Sequence, residues 1–180
     1  MKSKVIKILI SYLITEIIFL ISSHSIFVDL GISNAHSGLL FVFGLLFGPY
    51  GALGAVLGDL TIDIFTGFDD PQFLTIHFIS AIVSFAVSYL AYKLWYTDFI
   101  TKNITKPKLD NIYHLMLFLS SILICGLIFS GVHAIMDGVF YGPAYDEFFF
   151  VSFFLNFINI AFITGILGIW IFNKFDFFEI

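Results

Sequence analysis

The sequence predicts an all-α, polytopic membrane bundle of six transmembrane helices with both termini in the cytoplasm, and three observations lead there. Of 180 residues, 59% are hydrophobic and 12% charged, with a mean hydropathy of +1.02. A soluble domain carries about twice that share of charge. The apolar residues fall in runs close to the ~20 residues that cross a bilayer core. The basic residues, all lysine, gather in three places and leave the remaining connections without any. The whole chain, 1–180, therefore reads as one transmembrane domain with no soluble catalytic domain beside it.

The first span, Val5 to Val28, follows Lys2, Lys4 and Lys7 and has the outline of a signal peptide. It runs too long for one, carries Glu16 in its interior and lacks a small-residue cleavage site, so it is expected to be retained. The second and third spans, His36 to Phe47 and Tyr50 to Thr66, are short and meet at Gly48-Pro49. Hydropathy alone would merge them, but Pro49 removes a backbone donor and would kink a continuous helix. The fourth span is Phe73 to Tyr92, the fifth Tyr113 to Ala134 and the sixth Phe148 to Phe172.

Lysine placement sets the parity. Lys93, Lys102, Lys106 and Lys108 fill the only long polar loop, and Lys174 follows the last span. The positive-inside rule puts these and the N-terminal lysines in the cytoplasm. An even number of crossings must then separate Lys7 from Lys93, which four spans satisfy and three do not. The outer connections, Asp29 to Ala35, Gly67 to Gln72 and Ile135 to Glu147, contain acids and no lysine. Tyr92, Trp95 and Tyr96 fall at the cytoplasmic interface, where aromatic belts form. Cys125 stands alone, so no intramolecular disulfide is possible.

Polar residues inside a span are costly, so their alignment carries the functional signal. In the third span Gly51, Gly54, Ala55, Gly58, Asp59, Ile62 and Asp63 share one helical stripe. Gly51, Gly54, Ala55 and Gly58 are the expected packing residues, because small side chains let a neighbouring helix come close. The two carboxylates must face protein or water. His77, Ser80, Ser84 and Ser88 share a face of the fourth span; the serines are expected mainly to pack and to satisfy a neighbouring backbone. Gly126, Ser130, His133 and Asp137 line up in the fifth, and Ser152, Asn156 and Asn159 in the sixth. His36, Asp146 and Glu147 flank the same outer side. The expected ligand site is thus Asp63, His77, His133, Asp137 and Asn156, lining one cavity open to the outside. A carboxylate-rich site without arginine suits a neutral or cationic small molecule, such as an aromatic heterocycle stacked on Phe or Tyr. Glu16, mid-span with no intramembrane lysine, is the outlier.

Other chemistries find no support. The chain lacks a G-x-x-x-x-G-K-[ST] loop, H-E-x-x-H, a C-x-x-C pair and G-x-S-x-G. No catalytic residue, metal site or cofactor is implied, and nothing points to nucleic acid.

The segment GLLFGPYGALGAVLGDLTIDIFTG, Gly44 to Gly67, resembles the signature region of substrate-binding (S) components of energy-coupling factor (ECF) vitamin transporters. Those proteins have similar length, six helices and cytoplasmic termini, and their second and third helices meet at a tight Gly-Pro turn. The resemblance covers about a quarter of the chain. It implies capture of a vitamin or other micronutrient from outside, and delivery against a transmembrane coupling protein driven by two ABC ATPases on separate chains. One departure stands out: many S components dock through an A-x-x-x-A face on the first helix. Here that helix reads ILISYLITEIIFLISS, and Ser11 and Thr15 offer the only small i, i+4 face. Membrane sensor domains that precede kinase or phosphatase modules share the G-P-x-G-A-L-G-A stretch and often an end resembling Tyr92-Lys93-Leu94-Trp95. The alternative reading is such a ligand-input domain acting through a signalling partner. A purely structural membrane protein, whose polar stripes serve only packing, is a third.

Overall fold

The computed structural model describes residues 2–22, 35–67, 71–96, 106–142 and 146–175. Among them are six helices: α1 Lys2–Ser22, α2 Ala35–Phe47, α3 Pro49–Gly67, α4 Pro71–Tyr96, α5 Ile112–Tyr141 and α6 Asp146–Lys174. Four of these, α1, α4, α5 and α6, are long and apolar enough to cross a membrane. The other two fall short for different reasons. α2 has 13 residues, and α3 is diluted by Asp59 and Asp63.

The surface is that of a membrane protein. Val5, Leu9, Leu13, Ile17 and Leu20 form an exposed stripe on α1, and Leu155, Ile163 and Leu167 do so on α6. A soluble monomer does not carry such continuous apolar surface. The interior also holds hydroxyl side chains: Ser11, Thr15, Ser37, Ser84, Ser88, Ser121 and Ser130 are buried. Thr61 and Ser120 each donate to the carbonyl four residues earlier (Leu57 and Met116), which satisfies both hydroxyls within their own helices. The chain is a helical membrane bundle.

α2 is the hub. Every residue from Ser37 to Gly48 is buried, as expected of a helix that is apolar all round. It packs on α3, α4 and α6, while α1 joins mainly through α3. Backbone approach is close: a Cβ at Gly44 would stand 2.0 Å from the Ser88 carbonyl oxygen, and Ser88 Oγ donates to the Leu40 carbonyl at 2.7 Å. Phe41 meets Phe118 and Phe157 with ring centroids 6.0 and 6.4 Å apart, which fills the centre.

The Gly48-Pro49 junction is a chain reversal. Gly48 has φ +63°, a left-handed conformation that ends α2, and Pro49 opens α3 where its missing N–H costs nothing. A side chain at Gly48 would also press on the Tyr92 ring at 3.1 Å.

Contacts fix each helix's direction. α1 and α3 run the same way, with Gly54 against Ile8 and Gly58 against Tyr12 and Thr15. α2 and α6 also run together, from Gly38 against Ala161 to Phe47 against Phe172. α4 and α5 oppose each other, pairing Ser80 with His133 and Val87 with Cys125. α5 and α6 are opposed too, through His133 with Phe153 and Phe118 with Phe162. Successive helices therefore alternate, and Lys4, Lys93, Lys106, Lys108 and Lys174 come to one end. There Lys4 sits over the Tyr50 ring at 5.1 Å, and Asn173 Nδ2 donates to the Pro107 carbonyl at 2.8 Å.

Two sequence expectations need correcting. The fifth helix does not end at Ala134 but continues to Tyr141, so Asp137 is helical rather than part of a loop. Hydropathy falls near Ala134, yet nothing breaks the backbone until Gly142, with φ +103°, turns its N–H onto the Gly138 carbonyl. Nor are Ser11 and Thr15 an outward face. Both are buried, at the level where Gly54 and Gly58 bring α3 against α1.

Candidate functional site

At the end opposite the lysines, α3, α4 and α5 bring their titratable residues together. His77 Nδ1 lies 2.7 Å from Asp63 Oδ2, a contact that bridges α3 and α4. Its two side chains are 28% and 17% exposed, so the pair is shielded yet reachable. Asp137 of α5 lies one turn beyond His133 toward the same end. One turn further along α4, Ser80 Oγ is 2.7 Å from His133 Nε2.

The His133 ring is held from every side. Its Nδ1 donates to the Phe129 carbonyl at 2.8 Å. A carbonyl only accepts, so Nδ1 carries the proton, and a neutral ring then accepts from Ser80 through Nε2. Phe129 and Phe153 pack on the imidazole with centroids 4.1 and 5.6 Å away. His133 is buried, whereas Asp63, His77 and Asp137 are half-buried.

The position follows from the shortness of α2. At ~1.5 Å per residue its 13 residues cover about 20 Å of a ~30 Å core. Gly38, near the start of α2, is level with Ala161 on α6, whereas His133 packs on Phe153, about 12 Å further out along the same helix. The acid–imidazole cluster thus begins beyond the end of the central helix.

Of the five expected ligand residues, Asp63 and His77 are in contact and His133 reaches the same helix as His77 through Ser80. Asn156 is half-buried on α6, and no hydrogen bond or ion pair among the described residues ties it to the others. Asp63 and His77 line a groove of about 510 Å³ between α3 and α4, with Thr75 and Phe78. A second groove of about 820 Å³ lies between α5 and α6, lined by Gly131, Ala134, Gly138 and Phe150. His36, Asp146 and Glu147, together with Asp69, Asp70 and the loops around them, lie outside the described residues or have undescribed side chains.

Sequence reasoning missed the part played by Ser80, whose i+3 spacing from His77 was the available signal, and the two phenyl rings that clamp His133. Of the packing glycines, Gly54 and Gly58 face α1, while a Cβ at Gly51 would meet the Phe43 carbonyl oxygen of α2 at 2.2 Å. Ala55 is fully buried, and Asp59 is buried on the same helix. Glu16 keeps one carboxyl oxygen buried without a hydrogen-bond partner. Among the described residues, no three His, Cys, Asp or Glu side chains are grouped as metal ligands.

Chemically, the cluster offers one carboxylate–imidazole pair and a second, locked imidazole behind it. Such a set can bind a cation or hydrogen-bond a polar heterocycle. The fold and this cluster define a class: a helical membrane protein with a polar, ionisable patch buried in its lysine-free half. No family model, curated protein or solved structure matches the chain.

Proposed function

We propose that this protein is the membrane-embedded substrate-capture subunit of an ECF-type ABC importer, taking up a vitamin or related small micronutrient from outside the cell. In this reading all six helices cross the cell membrane and the lysine end lies in the cytoplasm, as positive-inside orientation requires. The observation that carries it is the Asp63–His77 pair, with the Ser80–His133 contact one turn away, set beyond the end of α2 on the opposite side. Ionisable side chains are costly within a membrane, and their gathering from three helices toward one end is what a ligand pocket needs. The Gly44 to Gly67 segment, with its left-handed Gly48 turn, supports the same assignment.

Docking on the coupling protein would use a surface other than Ser11 and Thr15, which face inward. The sensor alternative rests partly on Tyr92-Lys93-Leu94-Trp95. Here Trp95 is wholly buried, with its ring 6.0 Å from that of His114, so packing already accounts for its presence.

Co-expression with a transmembrane coupling subunit and its two ATPases tests the proposal. Stable copurification of all four chains, with a small molecule released on denaturation, is the expected result. Failure to associate, with recovery of a kinase or phosphatase partner instead, would move the protein to the sensor class.

A further inference from the structure

The lysine end carries a second cavity, far from the acid–imidazole cluster. It measures about 680 Å³ and lies between the α4–α5 connection and the end of α6. Lys106, Lys108 and Lys174 stand on its rim, and Ile166, Ile169 and Trp170 form its wall. The rim is anchored: Asn173 Nδ2 donates to both the Pro107 and Ile169 carbonyls at 2.8 Å, tying the connection to α6. Pro107 between the two lysines is buried, which fixes the backbone that presents them.

Asp110 is the one carboxylate among the lining residues. It accepts from His114 Nδ1 and from Asn111 Nδ2, and the His114 hydrogen bond holds its carboxyl below the usual carboxylate range. Among the described lining residues, Lys108 and Lys174 alone outweigh this one ionised carboxylate. Trp170 is 58% exposed, with the Lys174 ammonium 4.9 Å from its ring centroid. A tryptophan and a lysine so placed mark the depth of the lipid headgroups. From there the exposed apolar face of α6 continues through Leu167 and Ile163 toward mid-membrane.

A cationic rim at headgroup depth, continuous with an apolar wall that descends into the core, matches a molecule that is anionic at one end and aliphatic at the other. We propose that this cavity binds one anionic phospholipid of the lysine-side leaflet, its phosphate among Lys106, Lys108 and Lys174 and one acyl chain against Ile166 and Trp170. A water-soluble phosphate would use the rim but gain nothing from the wall. Basic pockets between helices on the cytoplasmic side select anionic headgroups in this way. The site is independent of any ligand captured at the other end.

The test uses the full chain in phosphatidylcholine nanodiscs, with bound lipid counted by native mass spectrometry and stability followed by thermal unfolding. Phosphatidylglycerol should bind one molecule per chain and raise the melting temperature. Added phosphatidylcholine or inorganic phosphate should not. The K106Q/K108Q/K174Q variant should bind phosphatidylglycerol on the order of a hundredfold more weakly, about tenfold per one or two lysines lost. If the triple variant does not fold, K108Q and K174Q singly carry the same comparison. W170A should weaken phosphatidylglycerol binding while leaving the melting temperature in phosphatidylcholine unchanged. Equal binding of the two lipids, wild-type affinity in the lysine variants, or full stabilisation by inorganic phosphate alone would overturn the proposal.

Discussion

His77 Nδ1 lies 2.7 Å from Asp63 Oδ2, a carboxylate–imidazole contact between two helices. It joins the end of α3 to the start of α4 across the connection at residues 68–70. It also places a carboxylate and an imidazole on the wall of the α3–α4 groove.

Two consequences follow for substitution of that pair. Asp63→Asn and His77→Gln keep size and hydrogen-bonding capacity, so each variant should fold and insert. Each should lose the small molecule retained by wild-type protein through purification, as read by mass spectrometry after denaturation. Their effects on thermal stability should be non-additive, with a coupling of about 0.5–3 kcal/mol, because each removes the same contact. Strictly additive melting shifts would show that the pair is not formed in the membrane.

Ser80→Ala should destabilise the bundle by about 1–3 kcal/mol, since it leaves His133 Nε2 buried without its partner. Ser84→Ala is the matched control: Ser84 lies one turn away on α4, and its buried hydroxyl has no hydrogen-bond partner to lose. Thermal unfolding in one detergent should therefore separate the two variants. Equal melting temperatures would mean that the Ser80–His133 bond contributes nothing.

Gly54 and Gly58 both face α1 but differ in what a side chain would strike. At Gly54 a Cβ would lie 2.2 Å from the Ile8 carbonyl oxygen, which is backbone and cannot yield without moving the helix. At Gly58 the nearest atom is the Thr15 Cβ at 3.0 Å. Gly54→Leu is expected to abolish monodisperse protein in mild detergent, beyond the ~1–3 kcal/mol usual for overpacking. Gly58→Ala should leave a folded protein with a modest loss. Purification of Gly54→Leu at wild-type yield and melting temperature would contradict the observed α1–α3 interface.

Membrane orientation is open to chemical labelling. With Cys125 replaced by Ala, Lys106→Cys should be shielded from an impermeant maleimide in intact cells and react after permeabilisation. Asp69→Cys, at a position outside the described residues, should label from outside. The reverse pattern would invert the bundle and place the acid–imidazole cluster on the cytoplasmic side.

Much of the fold was written in composition and order. A bilayer demands ~20-residue apolar helices whatever their neighbours do, so hydropathy located α1, α4, α5 and α6. Gly48-Pro49 announced a reversal because only glycine readily takes the left-handed backbone that ends one helix, and proline suits the first turn of the next. The polar stripes could likewise be drawn from helical periodicity alone. Which stripes meet could not, because rotation of each helix about its axis is set by packing. Only the tertiary structure decided that α2 lies at the hub. It also turned Ser11 and Thr15 inward onto α3, and it paired Asp63 with His77 and Ser80 with His133. Asn156 shows the same limit from the other side. Its place on a polar face was legible, but what that face meets depends on how α6 rotates against α2 and α5, and that rotation is chosen by Gly38, Gly126 and Gly165, where the backbones or rings of neighbouring helices come closest.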